Sequence, residues 1–205
     1  MKILAIADLH GNATVYEKLK LDSYDLVILA GDISNNGPLG FVERVVNEIS
    51  AKTKVLAVTG NMDLPETREL LKKLGVSAEG VVEYKGLRFA GMGGANKAPF
   101  HSPLDYTEDE IYAFLKGKVD SKTILITHAP PYGTKADTLP NGMHVGSKSI
   151  RKIIEEKKPI LNICAHIHES QAVDSIGKTK IVNVGPSNQG KYAEISLPGL
   201  RISLK

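Results

Sequence analysis

Residues 2–12 read KILAIADLHGN, and the way that stretch ends decides the architecture. KILAIA is a short buried strand, and it delivers Asp8 and His10 directly after its last apolar residues. The pattern recurs along the chain. Residues 26–34, LVILAGDIS, lead to Asp32; residues 54–63, KVLAVTGNMD, to Asn61; residues 123–131, TILITHAPP, to His128; and residues 161–169, LNICAHIHE, to His166 and His168. A polar side chain at the end of a buried strand costs stability unless it is hydrogen-bonded, paired or bound to a metal. Residues so far apart converge only if their strands align in one sheet, and open α/β sheets bind ligands beyond the carboxyl ends of their strands. The seven side chains therefore point to a metal site with room for two ions.

The segments between these strands have helical character. Asn12 to Leu19 reads as the start of a helix, and Leu39 to Ile49 carries Phe41, Val45, Val46 and Ile49 at helical spacing. Pro65 to Leu74 is bracketed by Pro in its first turn and Gly75 beyond its end. Strand–helix–strand alternation implies parallel strands joined by right-handed crossovers. In the centre, VVEYKGLRFAGM reads as a hairpin pivoting on Lys85-Gly86, and the following GANKAPFHSPLDYT is a long loop without apolar period. So long a structureless stretch is usually functional, an active-site wall or lid. Thr107 with Glu110 forms a capping box for a helix through Leu115, and Ser147 to Glu156 is a further helix. The tail, with turns at Gly177 and at Pro198-Gly199, is strand-rich and suggests antiparallel additions. With no linker in sight, the chain reads as one domain, residues 1–205, of two βα halves packed together.

Composition excludes several classes. A hydrophobic content of 42% over 205 residues fills a core without disulfides or a structural metal. Trp is absent and the net charge is only +3, with Lys and Arg dispersed, so nucleic acid is not an expected partner. The lone Cys164 fits a reducing compartment and reads as a small buried hydrophobe. No apolar run reaches the ~20 residues of a membrane span, and the start lacks a signal sequence, so the expected location is the cytoplasm, away from membranes. A dimer is compatible with all of this.

The donor set is chemically mixed, with four imidazoles, two carboxylates and one amide. It suits Mn, Fe, Zn or Co better than Ca or Mg, which prefer all-oxygen shells. In extended chain the i, i+2 spacing of Asp8 with His10 and of His166 with His168 puts both members on one face. Gly31 and Gly60 precede Asp32 and Asn61, where a missing side chain allows sharp turns and close approach. Two divalent ions outweigh the two carboxylates, and a bridging hydroxide leaves about one positive charge to attract an anion; ions ~4 Å apart suit in-line attack on phosphorus. Asp32 is the natural bridge, since a carboxylate has two oxygens.

The order DLH, GD, GN, TH, AHIH resembles the calcineurin-like metallophosphoesterase superfamily over nearly the whole chain. Residues 128–159, with GMGGANKAPF (residues 91–100) before them, are similar to a prokaryotic branch of phosphoesterases related to the Icc protein. The resemblance implies a four-layer α/β/β/α sandwich and a dinuclear site, with manganese foremost and Fe, Zn, Ni or Co as alternatives. By motif, one metal would take Asp8, His10, Asp32 and His168, and the second Asp32, Asn61, His128 and His166. Asn12 and Asn61 would lie at the substrate phosphate. The implied activity is hydrolysis of a small phosphoester, a phosphodiester of nucleotide size ahead of a monoester. A nuclease and a scaffold that has lost catalysis are the alternatives.

One departure stands out. The superfamily places His after the Asn of GN, to protonate the leaving oxygen, and here that position is Met62. A thioether carries no proton at neutral pH, and losing a general acid typically costs ~10²–10⁴ in rate. Asp63 remains as a carboxylate without its imidazole, with a catalytic role or a cap on the helix near Pro65 as its two readings. His144, in PNGMHVGS, and His101, in the central loop, are the histidines that could compensate. Ala165 stands where the pattern has Gly before HxH, which a turn tolerates unless that residue needs positive φ.

Overall fold

The computed structural model describes residues 1–99 and 101–205; Phe100 of the central loop lies outside the described residues. The chain runs β1 (Lys2–Ile6), α1 (Thr14–Glu17), β2 (Leu26–Ala30), α2 (Leu39–Ser50), β3 (Lys54–Val58), α3 (Pro65–Lys73), β4 (Gly80–Tyr84) and β5 (Leu87–Met92). It continues through β6 (Ala95–Asn96), β7 (Asp105–Tyr106), α4 (Glu108–Leu115), β8 (Thr123–Thr127), α5 (Lys148–Lys157), β9 (Leu161–Cys164), β10 (Ala172–Ile176), β11 (Thr179–Asn183), β12 (Ala193–Ser196) and β13 (Arg201–Leu204). Among the described residues two large sheets result, ordered β13-β12-β1-β2-β3 and β10-β11-β9-β8-β5-β4, beside a two-stranded β6-β7 sheet.

The strand alternation shows how the layers stack. In β1, Ile3 and Ala5 join a core shared with the second sheet, while Leu4 and Ile6 pack with α2 side chains such as Val42 and Val46. In β8, Ile124 and Ile126 enter the same shared core and Leu125 turns to Ile111, Ile150 and Ile154 of α4 and α5. The period of two sends each strand's side chains to both faces, so every sheet is covered twice. The result is helix, sheet, sheet, helix: a four-layer α/β/β/α sandwich, as expected. The five ligand-bearing strands do not share one sheet, however. β1, β2 and β3 lie in the first and β8 and β9 in the second, with ligand loops at the carboxyl ends of all five.

Local sequence accounts for most elements. α2 buries Val42, Val45, Val46 and Ile49, so Val42 rather than Phe41 completes its apolar stripe. α3 has Pro in its first turn, and Gly75 follows it at φ +69°. The Thr107–Glu110 capping box opens α4, and Ser147 accepts from the Ile150 amide at the start of α5. Lys85 and Gly86, both at positive φ, turn the β4–β5 hairpin.

Three expectations change. α1 is only four residues long, because the chain breaks into a tight turn by Leu21–Ser23 to enter β2. The long central loop carries the β6–β7 ladder, Ala95 opposite Asp105, and is tied to the GN turn by Gly94 N–H to the Thr59 carbonyl and Leu104 N–H to the Asn61 carbonyl. The tail is not wholly antiparallel: β11 runs parallel to β9. β10 reverses after the AHIH turn and Gly177 reverses the chain again, so two reversals restore the direction of β9. Cys164 is buried, as expected.

Candidate metal centre

The GD and GN turns approach each other more closely than any side chain would permit. A Cβ on Gly60 would lie 2.0 Å from Asp32 Oδ1, and one on Gly31 (φ +96°) would lie 2.4 Å from His128 Nδ1. Glycine is thus required by contact at both positions and by backbone angle at Gly31. Asp8, His10, Asp32 and His166 themselves sit at φ 51°, 46°, 48° and 71°. The i, i+2 pairs therefore converge through left-handed turns and not through extended chain. Asp8 N–H bonds to the Gly31 carbonyl and His10 N–H to the Asp32 carbonyl, which lays the first ligand loop along the second. Ala165 is not among the positive-φ residues; the left-handed turn falls on His166, so the methyl group is tolerated.

The candidate ligands meet in two overlapping groups. Nε2 of His10 and of His168 are 3.3 Å apart, and Asp8 Oδ1 lies 3.9 Å from the first and 3.5 Å from the second. Asp32 Oδ2 lies 3.7 Å from His10 Nε2 and 3.4 Å from His128 Nε2, so it faces both groups. His128 Nε2 is 3.1 Å from Asn61 Oδ1, and the His166 ring stacks edge-on against His128 with centroids 5.0 Å apart. Asp8, Asp32 and His128 also form a cluster of their own, so Asp8 as well as Asp32 adjoins both groups.

The donor set fits cations. Asp8 is fully buried, and its Oδ1 has no hydrogen-bond partner among the described residues although His10, His168 and His128 cluster around the carboxylate. His128 Nδ1 is 2.8 Å from the Ala30 carbonyl, so Nδ1 carries the hydrogen and Nε2 is turned to the cavity. Burial opposes charge on Asp32, yet His128, the Met62 N–H and His10 hold its carboxyl below the usual range. Burial likewise opposes charge on His128, and Asp32 overrides it, lifting the imidazole to about 9. Burial and the nearby His128 push His166 down to about 4, leaving it neutral and fit to donate a lone pair. The proton on His128 occupies the place a metal cation would take, and ligand imidazoles must lose that proton to bind one.

Three residues serve the site indirectly. Asp63 is fully buried and accepts from Gly60 N–H (2.8 Å), Ser34 N–H (2.8 Å), Ser34 Oγ (2.9 Å) and Ile33 N–H (3.2 Å), tying the GD and GN turns together. It does not cap α3, whose N-cap is Leu64 without a side-chain bond. Burial and the Asp32 charge push its carboxyl up to about 6. Sequence reasoning missed the other two. Asn61 Nδ2 donates to Ser102 Oγ (3.0 Å), and Ser102 in turn donates to Asp105, which fixes the amide with its oxygen toward His128. The Ser-x-x-Asp spacing of the central loop was the available signal.

The remaining candidates lie around this centre. Asn12 is exposed; its Oδ1 accepts from Thr14 N–H and Oγ1, and its amide reaches the Asn188 carbonyl at 3.4 Å. Met62 is half-buried, and its N–H donates to Asp32 Oδ1. His101 is exposed beside Ser102. His144 bonds to Asp137, on the loop that leads from His128 to α5. Among the described residues, no helix is long and apolar enough to cross a membrane.

The chain also matches known proteins. The family model for calcineurin-like phosphoesterases matches residues 1–170. The chain is 41% identical over 200 residues to the uncharacterized protein MJ1162 of Methanocaldococcus jannaschii, covering 94% of this chain and 91% of that one. It is 27% identical over 165 residues to a Synechococcus protein named "probable cyclic nucleotide phosphodiesterase", covering 77% and 63%. The crystal structure of the protein TT1561 from Thermus thermophilus superposes with a TM-score of 0.73 at 20% identity, over 100% of this chain and 97% of that one, and shares the fold.

Proposed function

Since the chain belongs to the calcineurin-like phosphoesterase family, we propose that it hydrolyses small phosphodiesters, of nucleotide size, with two divalent metal ions, manganese foremost. The observation that carries this is the pairing of an orphaned, buried Asp8 Oδ1 with Asp32 Oδ2, which faces His10 on one side and His128 on the other. Two carboxylates amid four imidazoles make a site for cations whose surplus charge draws an anion. When bound, the ions polarise the phosphoryl oxygens and activate the attacking water. The protein's own part is positioning. Asp8, His10, Asp32 and His168 are assigned to one ion and Asp32, Asn61, His128 and His166 to the other, and the Asn12 amide at the rim orients the phosphate. The likeness to the Synechococcus protein supports a diester of nucleotide size over a monoester.

The test is hydrolysis of bis(p-nitrophenyl) phosphate against p-nitrophenyl phosphate with Mn, Ni, Fe, Zn and Mg, with and without Asp32→Asn. The diester is hydrolysed faster. Asp32→Asn weakens metal binding by more than the ~10–100-fold typical of groups that merely support ligands, and hydrolysis falls with it. A wild-type protein that binds two ions and cleaves neither ester overturns the reading. In that case the loss of an acid at Met62 favours a scaffold role, in which Asp32→Asn leaves a protein partner bound.

A further inference from the structure

We infer that His144 is the proton donor to the leaving oxygen, oriented by the buried Asp137, and that this pair does the work for which Met62 is unfit. This rests on the phosphoesterase reading above. Asp137 is fully buried and accepts from the backbone N–H of Gly133 (3.0 Å), Thr134 (2.8 Å) and Gly146 (3.0 Å) and faces His144 Nδ1 at 2.8 Å. A carboxylate surrounded by N–H donors acts as acceptor only, so the hydrogen between the two side chains belongs to His144 Nδ1. That assigns Nε2 as the atom that exchanges a proton. Tyr132 packs edge-on against the ring at 5.7 Å and Thr138 Oγ1 lies 3.3 Å from Nδ1, so the ring is held by three neighbours. The Asp137 side chain has no exposure, while that of His144 keeps 35%. One member is fixed and the other can meet a substrate.

The loop's attachments place the pair at the rim of the metal centre. It starts at His128, and Ser147 N–H bonds back to the Pro130 carbonyl. Ser170, two residues after His168, donates to the Thr138 carbonyl, and Asn96 Nδ2 donates to the Val145 carbonyl (3.2 Å). The loop is therefore pinned beside both the AHIH turn and the central loop that holds Asn61. His101, the other histidine at this rim, has no ring hydrogen bond among the described residues.

The step balances simply. The bond between phosphorus and the leaving oxygen breaks with its electron pair going to that oxygen, which takes the proton from His144 Nε2. Water supplies the new oxygen on phosphorus and releases its proton to solvent. His144 is left neutral with Nδ1–H still on Asp137, and solvent restores Nε2–H. His144 is the catalytic residue and Asp137 its positioning residue.

The experiment compares bis(p-nitrophenyl) phosphate with diphenyl phosphate, whose leaving group is the poorer one. Wild type, His144→Ala, Asp137→Asn and His101→Ala are each loaded with manganese, and metal binding is checked by calorimetry. His144→Ala keeps the backbone bonds to Asp137, so the loop stays anchored. It loses at most about tenfold on the nitrophenyl ester and about 10²–10⁴-fold on the phenyl ester, in kcat more than KM, and added imidazole restores part of the phenyl rate. Asp137→Asn shows the same leaning toward the phenyl ester, to a smaller degree. Equal losses on both esters overturn the inference, as does a leaving-group effect confined to His101→Ala. Failure of the wild type on both esters with ions bound overturns the phosphoesterase reading itself, and this inference with it.

Discussion

The two sheets contribute to the centre in different ways. The first supplies both carboxylates and the amide together with His10, on loops where Asp8, His10 and Asp32 all have positive φ. The second supplies only imidazoles, His128, His166 and His168, with His166 alone in that region. Non-glycine residues in sparsely populated backbone regions cost ~1–3 kcal/mol each and persist only when their surroundings over-determine them. In the first sheet that surrounding is Asp63, which grips the GD and GN turns, with the Asp8 and His10 N–H bonds that lay the DLH turn on the GD turn; in the second it is rings packed edge to edge. The carboxylates and most of the backbone strain are thus concentrated in one half of the molecule and imidazoles in the other. The centre exists only where the two meet.

The junction is the place to break this division with the largest effect. Phe89 is fully buried in the core between the sheets, and Phe89→Ala should cost about 3–5 kcal/mol, read as a lower urea midpoint with unchanged slope. The folded fraction should still bind metal, since no ligand contact changes. Next comes the strained half. Asp63→Asn leaves N–H groups facing an amide that offers one acceptor oxygen where the carboxylate offered two, at about 1–3 kcal/mol of stability. Titration should show metal affinity weakened ~10–100-fold. A variant that keeps wild-type affinity would mean that glycine contact alone holds the turns. Ser102→Ala is the mildest. It removes the acceptor for the Asn61 amide, and the affinity of the ion on the Asn61 side should fall by about tenfold, the lower end of such effects.

How much of this was legible depended on whether the determinants were local. Strands and the Thr107–Glu110 capping box are written in short windows, such as LAGDIS or ICAHIHE for the strands, and the structure follows them. The sorting of ligand strands into two sheets is not visible in those windows, because β1 and β8 carry the same apolar run and differ only in their pairing. The i, i+2 pairs read as extended because spacing does not record φ. Asp63 looks like a helix cap because Pro65 follows it closely, whereas its actual partners, Ile33 and Ser34, lie some thirty residues back in the chain. Ser102 is hidden for the same reason, since the Asn61 it orients lies 41 residues back.

The pairing of β12 with β1, Lys2 opposite Ser196 and Ala5 opposite Ala193, bears on the order in which the chain is made. Every candidate donor lies at or before residue 168. The strand that leads to Asp8 and His10 has one of its two neighbours, β2, within that span, and takes the other from residues 193–196. A growing chain therefore carries the whole donor set before it carries the frame for it.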